Sequence, residues 1–214
     1  MVEVGGQPVL WHIMKHYSHF GFQEFVLALG YKGESIKKYF TDYLHLSGNM
    51  TVDLGDGKVQ KHTAHQEDWQ VHLMETGLET MTGGRLKKLT PMLKDDTFMM
   101  TYGDGISSID LGRLLKFHKA HGKLATVSVV RPPSRFGSFE FNGDAVTKFI
   151  EKPQTGEGWI SGGFFILEPK VLRYIASDDI SWEREPMERL ARAGQLMAYR
   201  HEDFWQCMDT LRDR

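Results

Sequence analysis

The chain has 214 residues, enough for one large domain or two small ones, and 41% of them are hydrophobic, enough to bury a substantial core. Its 26 basic and 28 acidic side chains leave a net charge of −2, which argues against a nucleic-acid or membrane surface. The single cysteine, Cys207, excludes an internal disulfide framework, and no run reads as a membrane span or a leader, so the expectation is a cytoplasmic protein.

Pro8 suits the first turn of a helix, and Val9, Leu10, Ile13, Met14, Tyr17 and Phe20 recur at helical spacing until Gly21. Phe25-Val26-Leu27-Ala28-Leu29, ending at Gly30, predicts a strand covered on both faces. Ile36, Tyr39, Phe40 and Tyr43 mark a second helix, and 51–54 and 71–74 read as strands around a polar stretch, 56–69. A third helix starts near Thr82, a strand covers 97–101, and Leu111, Leu114, Leu115, Phe117 and His118 mark another helix. The β-branched residues of 124–130 predict a buried strand. This alternation predicts a mostly parallel, doubly wound α/β sheet in a single domain. After Val130 the texture changes: Phe139-Glu140-Phe141 and Val146-Thr147-Lys148-Phe149-Ile150 flank Asn142-Gly143-Asp144, a hairpin signal. A strand over 158–167, a helix opened by Pro186 and a return strand over 196–199 complete the pattern.

Four segments place polar groups at strand ends or tight turns. In Tyr102-Gly103-Asp104-Gly105 a carboxylate stands between glycines after an apolar strand, where a hard cation and its phosphate could approach; a simple Asp/Gly turn is the plain alternative. In Arg135-Phe136-Gly137 the glycine could admit a flat ligand. In Glu151-Lys152-Pro153 a carboxylate could accept bonds from sugar hydroxyls beside an ammonium suited to a phosphate; a solvated pair at a strand end fits the same residues. In the fourth segment, Asp209 follows an aromatic stretch and equally reads as the N-cap of a short helix over 210–214. If Asp104 and Asp209 converge, a divalent cation is the natural reason, because two carboxylates about 4 Å apart repel by about 4 kcal/mol at an effective dielectric of about 20. Thr82-Gly83-Gly84-Arg85 puts a glycine pair at a helix start, where free N–H groups could meet an anion or a base edge; a capped helix with basic residues on its wet face explains it as well. His12 with His16 and His62 with His65 have metal-like spacing but lack the further ligands that structural zinc needs.

The order of these segments resembles that of the sugar-1-phosphate nucleotidylyltransferases, and more narrowly their glucose-1-phosphate cytidylyltransferase branch, over nearly the whole chain. The resemblance rests on Gly5-Gly6-Gln7-Pro8-Val9-Leu10-Trp11-His12-Ile13-Met14, Thr82-Gly83-Gly84-Arg85-Leu86-Lys87, Tyr102-Gly103-Asp104-Gly105 and Arg135-Phe136-Gly137. It continues through Glu151-Lys152-Pro153, Trp159-Ile160-Ser161-Gly162-Gly163-Phe164-Phe165, Trp182-Glu183-Arg184-Glu185-Pro186 and Met208-Asp209-Thr210-Leu211-Arg212-Asp213. It implies a Rossmann-like doubly wound mixed sheet and transfer of CMP from CTP to glucose 1-phosphate. It implies that Asp104 and Asp209 hold Mg²⁺ and that Asp104, Lys152 and Asp209 carry the chemistry. Glu151 and Lys152 would contact the sugar phosphate, Gly137, Gly162 and Gly163 would line the hexose pocket, and Gly83, Gly84, Arg85 and Gly103 would border the substrates. It also implies a homo-oligomer and a product, CDP-glucose, that feeds surface-polysaccharide synthesis. A relative using UTP or dTTP and a non-catalytic sugar-nucleotide-binding subunit are the alternatives.

Three departures stand out. Met1-Val2-Glu3-Val4-Gly5-Gly6 matches the family just after its first central strand and glycine-rich loop, and the last helices are cut at Arg214. Ser161 stands where the family has Asn, and Cys207 where it has Pro. Without the first strand, the expectation is that residues 1–214 alone are poorly stable and lack transferase activity.

Overall fold

The structure is a computed structural model that describes residues 2–62, 67–131, 138–142, 145–150 and 158–208; residues 138–142 and 148–150 are described through their backbone alone. Strands β1 (Glu3–Val4) and β2 (Gln7–Pro8) pair around Gly5 and Gly6, both at positive φ. Helix α1 (Val9–His19) follows, and Pro8 stands just ahead of it, extended in β2, rather than in its first turn. Val9, Ile13, Met14 and Tyr17 bury one face of α1. After β3 (Glu24–Leu29) and α2 (Gly33–Leu46), strand β4 (Met50–Val52), close to the strand expected over 51–54, forms a hairpin with β5 (Val59–Lys61), which lies within the polar stretch. Asp53 closes its turn: its carbonyl accepts from the Gly57 N–H at 2.9 Å and its Oδ1 from the Gly55 N–H at 2.8 Å.

Strand β6 (Gln70–Glu75) runs parallel to β3 and leads into α3 (Thr82–Lys88) and α4 (Thr90–Leu93). Then come β7 (Phe98–Thr101), β8 (Gly105–Ser107) and α5 (Leu111–His121). Helix α5 is capped at both ends, by Asp110 Oδ1 accepting from the Arg113 N–H at 2.8 Å and by Gly122 in the left-handed region. Strand β9 (Ala125–Val130) precedes the antiparallel hairpin β10 (Ser138–Asn142) and β11 (Ala145–Ile150). The chain finishes with β12 (Ile160–Leu167), a 3₁₀ turn (Pro169–Tyr174), α6 (Glu185–Arg192), β13 (Leu196–His201) and β14 (Trp205–Cys207).

The central sheet has the order β13-β9-β12-β7. Strands β13 and β9 are parallel, but β12 is antiparallel to both β9 and β7. The sheet is mixed, as the resemblance implies, and not mostly parallel as the alternation alone predicts: the chain reaches β12 from a hairpin, not through the crossover helix that a parallel neighbour requires. Successive residues of β12 face opposite sides. Phe165 and Leu167 join a cluster with Val127, Trp182 and Leu190, while Phe164 and Ile166 join Val9, Ile13, Tyr17 and Leu114 on the other side.

Strands β3 and β6 form a separate pair, and no ladder joins β3 to β7 among the described residues. The expectation that 25–29 is covered on both faces is corrected: only Leu29 of β3 is buried, because β3 has one partner strand among the described residues.

Candidate active site

The chain leaves β7 at Thr101, turns outward through Tyr102, Gly103 and Asp104, and starts β8 at Gly105. Asp104 is exposed at this strand end, and a Cβ added at Gly103 would meet open space, so the turn leaves room for a ligand. Strand β14 returns antiparallel on β8 with Cys207 opposite Gly105, and the Met208 N–H then donates to the Asp104 carbonyl at 2.8 Å. The segment directly before Asp209 is therefore hydrogen-bonded to the Asp104 turn. Asp209 itself lies outside the described residues, as do Gly137, Glu151 and Lys152.

The start of β12 flanks the same turn. Its pairing with β9 is irregular between Ser161 and Phe165. Gly163 holds φ 79°, and a Cβ there would sit 2.7 Å from the Tyr102 ring, so both the backbone and the close approach require glycine. A Cβ at Gly162 would sit 2.8 Å from Ser128 Oγ, and the Gly162 carbonyl accepts from Trp205 Nε1 at 2.8 Å. Ser161 Oγ accepts from the Gly163 N–H at 3.3 Å.

Helix α3 is held differently from the arrangement its sequence suggests. Gly83 and Gly84 are buried against the backbone of residues 178–182, and the Gly84 N–H donates to the Ile180 carbonyl at 3.2 Å. The expectation of a free N–H at Gly84 is thus corrected: close packing accounts for this glycine pair. Arg85 turns inward, donating to the Leu29 carbonyl at 3.0 Å and to Thr76 Oγ1 at 2.5 Å, in a space that exists because Gly30 has no side chain. Lys88 donates to the Thr76 carbonyl at 2.9 Å and pairs with Asp178 at 3.0 Å. These cations fasten the ends of β3 and β6.

Sequence reasoning did not assign a role to Glu183. Its Oε1 accepts from the Tyr102 hydroxyl and its Oε2 from the Thr82 hydroxyl, both at 2.7 Å. The Trp182 N–H donates to Thr82 Oγ1 at 2.9 Å. Burial first, and then the Glu183 carboxylate, hold the Tyr102 phenol far above the usual tyrosine range, so it stays protonated and donates. The only sequence signal for Glu183 was its place in Trp182-Glu183-Arg184-Glu185-Pro186.

The structure brings Gly103, Asp104, Gly162 and Gly163 together at one end of the central sheet, with Tyr102 between them. An exposed aspartate on a turn flanked by glycines suits a hard cation such as Mg²⁺, which prefers one or two carboxylates plus substrate phosphates. His12 and His16 have other partners: their Nε2 atoms bond the carbonyls of Val4 and Ile109, each at 2.8 Å.

Comparison with known proteins agrees with this geometry. Residues 1–210 match the family model described as Nucleotidyl transferase. The chain is 47% identical over 216 residues to the glucose-1-phosphate cytidylyltransferase of Salmonella typhimurium, covering 100% of this chain and 84% of that protein. It is 41% identical over 211 residues to the probable glucose-1-phosphate cytidylyltransferase of Bacillus subtilis, covering 98% and 82%. The solved structure of HddC from Yersinia pseudotuberculosis shares the fold, with a TM-score of 0.70 at 21% identity over 100% of this chain and 85% of that one.

Proposed function

The chain belongs to the nucleotidyl transferase family, and we propose that it transfers CMP from CTP to glucose 1-phosphate, giving CDP-glucose and pyrophosphate. The observation that carries this reading is the register of β14 on β8, with the Met208 amide on the Asp104 carbonyl at 2.8 Å. It supports a shared role for Asp104 and Asp209 in holding Mg²⁺, which when bound would neutralise phosphate charge. In this reading Glu151 accepts from sugar hydroxyls and Lys152 meets the phosphate as a point charge. Gly137, Gly162 and Gly163 border the hexose, and the region of Gly83, Gly84, Arg85 and Gly103 borders the nucleotide. The sugar phosphate attacks in line at the α-phosphorus. Positioning and charge neutralisation suffice for that step, and no covalent nucleophile is required.

Two further proposals go with it. The exposed Leu44, Leu46, Val52, Leu54 and Val59, around the end of α2 and the β4–β5 hairpin, support a homo-oligomer. A cytoplasmic location fits the absence, among the described residues, of any helix long and apolar enough to cross a membrane.

The test is binding followed by turnover. Residues 1–214 should bind CDP-glucose with Mg²⁺ in a calorimeter, and Asp104→Asn should remove the Mg²⁺ dependence. Any turnover should consume CTP with glucose 1-phosphate in preference to UTP or dTTP. Tighter binding of UDP- or dTDP-glucose, with the matching turnover, would contradict the base assignment.

A further inference from the structure

Asp104 stands between two glycines, so its own neighbours restrain it little. Downstream it is tied by the Met208 amide. Upstream, the next side chain along the turn is that of Tyr102. That ring lies against Gly163, where no Cβ fits, and edge-on to Phe165 at 5.9 Å between centroids. Phe165 in turn meets the fully buried Trp182 ring edge-on at 6.2 Å. The Tyr102 hydroxyl points to Glu183, whose second oxygen takes the Thr82 hydroxyl, and that hydroxyl is oriented by the Trp182 N–H. One carboxylate thus joins the turn that carries Asp104 to the first residue of α3. Glu183 is itself exposed, so it contributes little to the core, and ion or hydrogen-bond partners at an exposed carboxylate add little to global stability.

We propose that Glu183 is a positioning residue: by bonding Tyr102 and Thr82 at once, it fixes the Gly103-Asp104 turn relative to α3 and β12. The proposal rests on the transferase reading for its purpose, though the mechanical link stands on the hydrogen bonds alone. Tyr102→Phe keeps the ring and its packing and removes only the bond to Glu183. Glu183→Gln keeps the shape but can no longer accept from two hydroxyls as a carboxylate does.

Hydrogen exchange on residues 1–214 reads the link directly. In both variants the amides of residues 101–105 should exchange about three- to tenfold faster, while those of β9 and β13 stay protected. Mn²⁺ affinity, followed by the electron paramagnetic resonance of the free ion, should weaken about three- to tenfold in each variant, and the double variant should be no weaker than either single one. Unchanged exchange at residues 101–105 in both variants, or additive losses of Mn²⁺ affinity, would overturn the proposal. A lowered melting temperature with unaltered exchange and Mn²⁺ affinity would also overturn it, since that is what a merely structural role produces. If Mn²⁺ binding to the unsubstituted chain does not depend on Asp104, the metal reading fails and the exchange experiment alone decides the link.

Discussion

Strands β9 and β3 have similar apolar sequences and different surroundings. Five of the six residues of β9 are buried, with β12 on one side and β13 on the other. One of the six residues of β3 is buried, with β6 as its partner. The β-branched and aromatic content that fits both segments to a pleated sheet does not set how deeply each lies; the number of neighbouring strands and covering helices does. The well-covered half also carries the candidate site, so the Asp104 turn rises from the edge of the buried sheet.

The contrast can be broken most strongly at Trp182, fully buried under the central sheet. Trp182→Ala should cost about 3–5 kcal/mol in denaturant titration. Its indole N–H is buried with no hydrogen-bond partner among the described residues, so Trp182→Phe should cost distinctly less than Trp182→Ala. Next in size is Gly163→Ala, which meets both a positive φ and the Tyr102 ring, and should lower stability by about 1–3 kcal/mol. The same variant should weaken CDP-glucose binding, as measured by calorimetry.

The less covered half sets smaller effects. Arg85→Ala should cost about 1–2 kcal/mol by removing the bonds that gather Leu29 and Thr76, and should speed hydrogen exchange in β3 and β6 before β9. Leu27→Ala, at a partly buried position, should cost about 1 kcal/mol, well below an equivalent truncation in β12.

The smallest effect is a pH slope. Burial lowers the affinity of His16 and His121 for a proton, so both titrate below the ordinary histidine range. The unfolded chain therefore binds protons first as pH falls. The stability involved is complete above the unfolded histidine value of about 6.5 and is lost as pH drops through the folded values. Thermal midpoints measured from pH 7.5 to 5 should fall, and His121→Asn should flatten the slope.

Local chemistry was legible in the sequence wherever it acts over a few residues. The face of α1, the helix marked by Leu111, Leu114 and His118, and the β10–β11 hairpin follow from neighbours along the chain. The direction of β12 was not legible, because it depends on which strands receive the returning chain. Of the β4–β5 hairpin only the first strand was legible: β5 was hidden by the polarity of its stretch, although Gly55-Asp56-Gly57 carries a turn signal. At the site, Asp104 stood out because glycines flank it, whereas Glu183 has no local oddity. Its role arises from Tyr102 and Thr82, which are 81 and 101 residues away in the chain. The bonds of the Gly84 amide and the Arg85 guanidinium to the carbonyls of Ile180 and Leu29 were not legible, because those partners lie far away in the chain.

The most direct test is a Mn²⁺ titration of residues 1–214 with CDP-glucose present, comparing the unsubstituted chain with Asp104→Asn and Asp209→Asn. A shared site predicts one Mn²⁺ per chain, lost in both variants. Undiminished Mn²⁺ binding in either variant would contradict it.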